Sequence, residues 1–252
     1  MDVDQFANDL FGFFKLSAAR REDLKEIQKL LDCEQRFLLR HVNSRWLTLN
    51  SVVKRIIEVY TSLIEYFINF LPKQKSGFSL VSQNPRYQRI VAAIKDQSTL
   101  VYLEFLSDLC PILESYLALF QKEGPLVHVL HNKINELLRS VMLKYLKESC
   151  VNTLEGKDLV AIDIDNSENF RPIKDLDIGV GARKAISKLK ENDRTHLKTE
   201  FRKCLIDLTK HLRESLPVAN SFLKDLEILH PLMRKTSTDN AVMRLCSTLE
   251  IE

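Results

Sequence analysis

Glycine and proline are scarce in this chain, six and seven residues out of 252. So small a stock of turn-forming residues disfavours a loop-rich or multi-stranded protein, and the long Leu-, Ile-, Lys- and Glu-rich runs leave helix as the dominant expectation. Long apolar runs are missing as well. None approaches the roughly 20 residues that cross a bilayer, and the acidic opening MDVDQFANDL is unlike a secretory leader, so an intracellular chain without a membrane span is expected. Charge of one sign is lacking too: 37 Lys plus Arg stand against 34 Asp plus Glu, a net charge of +3. A nucleic-acid partner would therefore need a local cluster of cations. Cysteine pairs are absent. Cys33, Cys110, Cys150, Cys204 and Cys246 are odd in number and widely spaced, which favours free thiols in a reducing compartment, buried in the core and outside disulfides or ligand sets.

Motifs that carry chemistry are equally scarce. The chain contains no Gly-rich phosphate loop, no nucleophile elbow and no Cys-x-x-Cys pair. His128 and His131 share a helical face but lack a third ligand at suitable spacing. Asp163, Asp165 and Glu168 form an acidic cluster without the glycine and closing glutamate of a calcium loop, and a solvated acidic loop is the expectation. No catalytic residue, no cofactor and no metal site is expected.

What the chain does contain is regular apolar spacing. The most regular stretch, 36–71, reads RFLLRHVNSRWLTLNSVVKRIIEVYTSLIEYFINFL. Val53, Ile56, Tyr60, Leu63, Ile64, Phe67 and Leu71 recur at steps of three and four, which puts them on one face of a helix that must be buried. Ser44 or Asn50 is placed to cap its start and Pro72 to end it. Ahead of it, Phe6, Leu10, Phe13 and Phe14 suit a short helix over 1–14, and Leu24, Ile27, Leu30 and Leu31 an amphipathic helix over 18–31.

The sequence KQKSGFSLVSQNP over 73–85 marks a linker or loop between an N-terminal helical segment, 1–72, and a larger helical region, 86–235. That region opens with apolar stripes from Tyr87 to Phe120, interrupted by Pro111, and from Val127 to Tyr145 after the Gly124-Pro125 break. Helices are expected again over 182–190 and 195–216, with a shorter one after Pro217. Long helices with short connections make a multi-helix bundle the expected all-α architecture. Between 149 and 181 the pattern changes to an extended loop lying over the core, in which Val160, Ile162 and Ile164 alternate briefly in the manner of a strand. Beyond Pro231 periodicity weakens, and 236–252 reads as a partly ordered tail.

The longest basic tract runs over 15–45 and includes Arg20, Arg21, Lys25, Lys29, Arg36, Arg40, His41 and Arg45. Guanidinium groups match phosphate geometry, so Arg36, Arg40, Arg45 and Trp46 are the candidate contacts to DNA or RNA. The alternative is a solvated face balanced by Glu22, Asp23, Glu26, Asp32 and Glu34. Trp46 is likewise open to two roles, stacking on a base or packing beside Leu47 and Leu49.

The ordered series of RFLLRHVNSRWLTLNSVVKRIIEVYTSLIEYF, FLSDLCPILESYLALFQKEGPLVHVLHNKINELL, KDLDIGVGARKAISKL and FRKCLIDLTKHLRESLPVANSFLKDLEILHPLMR resembles hAT-superfamily transposases and their domesticated relatives. In that family an Arg-Trp pair opens a helix leading into a large helical insertion within an RNase H-like core. The resemblance covers most of 12–235 and implies the insertion region without the strands and acidic residues that hold the catalytic metals. Asp2, Asp4 and Glu250 have no matching context, and Arg36 stands where the family's Cys-x-x-His feature, counted from Cys33, has its histidine. The implied function is that of a domesticated, catalytically inactive protein acting through unidentified protein partners, with the nucleus favoured. The alternative is weak nucleic-acid binding through 15–45.

Overall fold

The computed structural model describes residues 1–42, 47–74, 78–121, 124, 126–230 and 239–250. They form a multi-helix bundle, and the extended pairing among them is a single antiparallel bridge between Leu146 and Phe170. The helices are α1 (Val3–Lys15), α2 (Ala18–Leu30), α3 (Leu47–Ile64), α4 (Phe78–Ser82), α5 (Pro85–Lys95), α6 (Thr99–Leu117), α7 (Val127–Met142), α8 (Gly156–Ala161), α9 (Val180–Ile186), α10 (Glu191–Ser215), α11 (Ser221–Asp225) and α12 (Asp239–Thr248). The chain divides into two compact units. Met1–Pro111 with Gly179–Arg194 makes the first, and Ile112–Ile178 with Thr195–Glu252 the second. The 73–85 stretch lies inside the first unit, and one boundary falls at Pro111 within α6, which stays helical across the proline.

In the first unit, α1 starts where the Asp2 carboxylate accepts the Gln5 N–H at 2.9 Å, and α2 where the Ser17 hydroxyl accepts that of Arg20 at 3.3 Å. The apolar face of α1 packs on α3 through Phe6, Leu10, Phe13 and Phe14, all buried. Beyond Ile64 the helix widens into a π turn over Glu65–Phe70, with the Leu71 N–H reaching back to the Tyr66 carbonyl, and ends in a tight turn holding Pro72. The extra residue in that turn directs Tyr66 and Phe67 inward together, and neither side chain retains solvent exposure. Their rings meet Phe13, Phe14 and Tyr87, with centroids 5.0 Å apart for Phe13–Phe67 and for Phe14–Tyr66, and 6.1 Å for Phe67–Tyr87.

Two expectations for α3 need correction. Ile64 is 37% exposed, because the buried arc extends on the Val52 and Val59 side and leaves Ile64 at its opposite edge. Asn50 sits in the first turn of α3, so it is not the cap; Ser44 lies outside the described residues.

A buried carboxylate ties α1 to α5. Asp9 is 2% exposed and receives Arg89 Nε at 2.6 Å, Arg89 Nη2 at 2.8 Å and Arg86 Nε at 3.4 Å. Burial pushes its pKa up, but hydrogen bonds from Arg89, Gln5 and Arg86 and the Arg89 charge outweigh that and hold it below the ordinary 3.8. Helix α9 approaches α6 closely at two glycines. A Cβ at Gly179, whose φ is +81°, would strike the Asp108 side chain, and one at Gly181 would strike Glu104.

The second unit is built on α7, which buries Ile134, Leu137, Leu138, Val141 and Met142, and on the part of α10 carrying Leu197, Phe201, Leu205 and Leu212. The expected extended excursion is present over 146–178, but the Val160 end of the alternation is helical, in α8. The 236–252 stretch, expected as a partly ordered tail, carries α12, where Ala241 and Leu245 are buried and Arg244 pairs with Asp225 on α11. None of the five cysteines forms a disulfide, yet only Cys110 is buried. Cys33 follows α2 in a turn and Cys204 lies on the open face of α10, so the expectation of core thiols holds for one of them.

Replacing Phe67 by alanine should lower unfolding free energy by about 3–5 kcal/mol in urea titrations, since it empties the centre of the aromatic cluster. Tyr66→Phe should leave it unchanged or raise it, because the buried Tyr66 hydroxyl has no hydrogen-bond partner. A second outcome follows from Asp9. Its depressed pKa means that its stabilisation is present above about pH 4 and is lost as pH falls through the folded value. Asp9→Asn should cost about 2 kcal/mol at neutral pH and flatten the acid limb of stability measured against pH.

Candidate interaction groove

The basic tract does not form an open cationic surface. Arg20 lies over the Phe13 ring at 4.1 Å and donates to the Phe13 carbonyl at 3.1 Å, and Arg21 donates to the Lys15 carbonyl at 3.0 Å. Lys25 pairs with Glu22 at 2.6 Å and lies 5.1 Å from the Phe37 ring. Arg36 is held by Glu34 at 2.6 Å and by Glu58, on α3, at 2.9 Å. His41 is buried between Thr48 and Asp4. Arg40 is exposed, while Arg45 and Trp46 lie outside the described residues. Of the four candidate contacts, then, one is ion-paired twice and one faces solvent. The segment after α2 is fixed by Gln28, which is buried, receives the Arg36 N–H at 3.1 Å and donates to the Arg36 carbonyl at 3.0 Å.

The acidic cluster and the histidines also fail to converge. Asp165 pairs with Lys210 at 2.8 Å, and Asp163 accepts the Asp165 N–H. His131 is buried, with Nδ1 at 2.9 Å from Glu227 and Nε2 at 3.2 Å from the Asn135 amide; the Asn135 Oδ1 accepts the Gly156 N–H, which assigns the ring proton to Nδ1. His128 instead stacks on His230 at 5.4 Å. Among the described residues no group of three His, Cys, Asp or Glu side chains is placed to hold a metal ion, and no helix is long and apolar enough to cross a membrane.

The feature that remains is an open apolar groove in the first unit, with a volume of about 310 Å³. Tyr60 and Ile64 come from successive turns of α3, Ile94 from the end of α5 and Leu100 from the start of α6. Ala185 and Leu189, one turn apart, close the α9 side beside Lys188. The groove exists because the chain turns sharply between α5 and α6, where the Asp96 carboxylate accepts the Ser98 N–H at 2.9 Å, so neither helix extends over the α3 surface. Asp96 and Gln97 form the rim there. Burial, with the Asp96 charge adding to it, pushes the Tyr60 phenol up to about 12, so it is neutral at ordinary pH.

The α9 rim is basic. Arg183, Lys184, Lys188 and Lys190 are all exposed, and none is in an ion pair among the described residues, although Lys184 lowers the pKa of the part-buried Glu104, which burial raises overall.

No protein-family model, curated protein or solved structure matches the chain. That finding overturns the hAT, transposase-derived, domesticated-transposon, RNase H-like and nuclear expectations. The apolar residues that carried the resemblance have a sufficient physical cause in the helix faces they bury, and the Arg-Trp pair falls outside the described residues.

The groove was not singled out by sequence reading. Apolar spacing places Tyr60 and Ile64 in the buried stripe of α3, and the α9 cations form a much shorter tract than 15–45. The available signal was the run ARKAISKLK, in which four cations occur without an acid.

The roles of Gln28 and of the exposed cations separate by stability. Gln28→Ala should cost about 1–3 kcal/mol, because it strands a buried backbone pair. Arg40→Ala should stay within about 0.5 kcal/mol in the same urea titration.

Proposed function

We propose that this chain is a helical protein-interaction module that performs no chemistry of its own. The observation that supports it is the groove of Tyr60, Ile64, Ile94, Leu100, Ala185 and Leu189, an apolar concavity left open on a helical surface. A partner's apolar side chains would gain there the burial that the chain's own core does not supply. The cations of 15–45 support a nucleic-acid role poorly, since Arg20, Arg21, Lys25 and Arg36 are already bound to carbonyls or carboxylates. Free thiols that form no disulfide suit a reducing, intracellular setting.

The test is partner recovery on the immobilised full chain, before and after nuclease treatment. Ile64→Glu, at a part-exposed position that can change without emptying the core, should lose a protein that both wild type and a Lys54→Glu control retain, and nuclease should not release it. Identical recovery by Ile64→Glu and wild type, or loss on nuclease treatment, would sink the reading.

A further inference from the structure

We propose that the groove receives an acidic amphipathic segment of a partner protein, with a bulky apolar side chain seated between Tyr60, Ile64, Ile94 and Leu189 and carboxylates facing Lys184 and Lys188. The inference rests on the interaction reading above and adds the chemistry of the partner. Three observations carry it.

The first is volume. About 310 Å³ is at the low end for ligand clefts, enough for one or two large side chains and too small for an embedded helix. The occupant therefore lies across the groove and inserts anchors, as amphipathic segments do when apolar residues one turn apart enter a neighbour's surface.

The second is the distribution of charge. The 180–190 stretch contains Arg183, Lys184, Lys188 and Lys190 and no acid, in a chain whose net charge is only +3. Lys188 lines the groove with Ala185 and Leu189, and Lys184 directly precedes Ala185 at the end of α9, so basic and apolar side chains come from the same short stretch. Carboxylates beside the anchors would meet these cations at an exposed edge, where complementarity sets partner choice and encounter rate more than affinity. Asp96 on the opposite rim repels a second row of acids, so the bound segment must carry its negative side toward α9.

The third observation separates a protein from a nucleic acid. A phosphate backbone would use the four cations but gain nothing from Ile64, Ile94, Leu100 and Leu189. A single-strand binder needs exposed aromatic faces, and the groove's one aromatic ring, Tyr60, is 8% exposed.

The experiment uses a randomised peptide display library selected on the immobilised full chain and counter-selected on Ile64→Glu. Enriched sequences should be net acidic with a large apolar residue near the acids. The most enriched peptide, synthesised with a fluorescent label, should bind Lys184→Glu/Lys188→Glu at least tenfold more weakly than wild type and weaken as salt rises. A labelled single-stranded DNA should show no binding that this double variant removes. Circular dichroism and urea midpoints establish that both variants remain folded, as expected for exposed positions. Enrichment of basic or neutral sequences, no enrichment, equal affinity for the double variant, or DNA binding lost with the same two lysines would each overturn the proposal. Partner recovery lost in Ile64→Glu but untouched in the lysine variant would leave the interaction reading standing and remove only the acidic partner; recovery untouched in both would remove the two together.

Discussion

Backbone carbonyls at helix ends and in the connecting segments must be satisfied where the described residues form no sheet, and that constraint governs where several long cationic side chains go. An unpaired buried carbonyl costs about as much as a lost hydrogen bond. In the second unit, the 146–178 excursion meets the constraint through arginines. Arg213 donates to the carbonyls of Ile162 at 3.0 Å and Leu159 at 2.9 Å, Arg202 to that of Arg171 at 2.8 Å, Arg171 to that of Leu146 at 2.9 Å, and Arg139 to that of Leu154 at 2.8 Å. Burial draws the pKa values of Arg202 and Arg213 down, the electrostatic cost of using an ion as a structural donor. In the first unit, Arg20, Arg21 and Arg55 do the same for Phe13, Lys15 and Phe37. Arg20 and Arg21, two of the side chains that suggest a phosphate-binding surface in one dimension, are structural donors in three.

The helical architecture and much of its core were legible in the spacing of apolar residues. Val53, Ile56 and Leu63 on α3, and Phe6, Leu10, Phe13 and Phe14 on α1, are buried as period 3.6 requires. Legibility stopped where the backbone left that period. The π turn over Glu65–Phe70 has no sequence signature of its own, yet it brings Tyr66 into the core beside Phe67. Alternation at Val160 and Ile162 suggested extended chain, but burial of Leu159 favours α8 over continuous extension. A short apolar run is ambiguous between strand and helix until its neighbours are known.

Counter-ions were illegible for a related reason. Arg36 finds Glu58 across 22 positions, and Asp9 finds Arg89 across 80. The number of cations ranks the 15–45 tract first, although Arg20, Arg21, Lys25 and Arg36 are taken up by contacts within the fold, Arg36 in part by an acid 22 positions away. The 183–190 cations, fewer in number but closer together, are left exposed beside an apolar surface. What distinguishes a binding edge from a solvated face is whether acids pair directly with its cations, and that is a property of the fold.

The groove inherits its rigidity from the same packing that creates it. Tyr60 and Ile94 belong to the buried cluster that contains Phe13, Phe67 and Tyr87, so its floor moves only if that core moves. Its α9 wall is held differently. Ala182, Ala185, Ile186 and Leu189 are buried, but the approach of the first turn of α9 to α6 depends on Gly179 and Gly181 having no Cβ to meet Asp108 and Glu104. A side chain at Gly179, where φ is +81° and the Asp108 Cβ and Cγ stand in the way, would push that wall away from α6, whereas at Gly181 the obstacle is the movable end of Glu104. Groove geometry and core stability are thus separable, with the floor set by apolar burial and the basic wall set chiefly by Gly179 against Asp108.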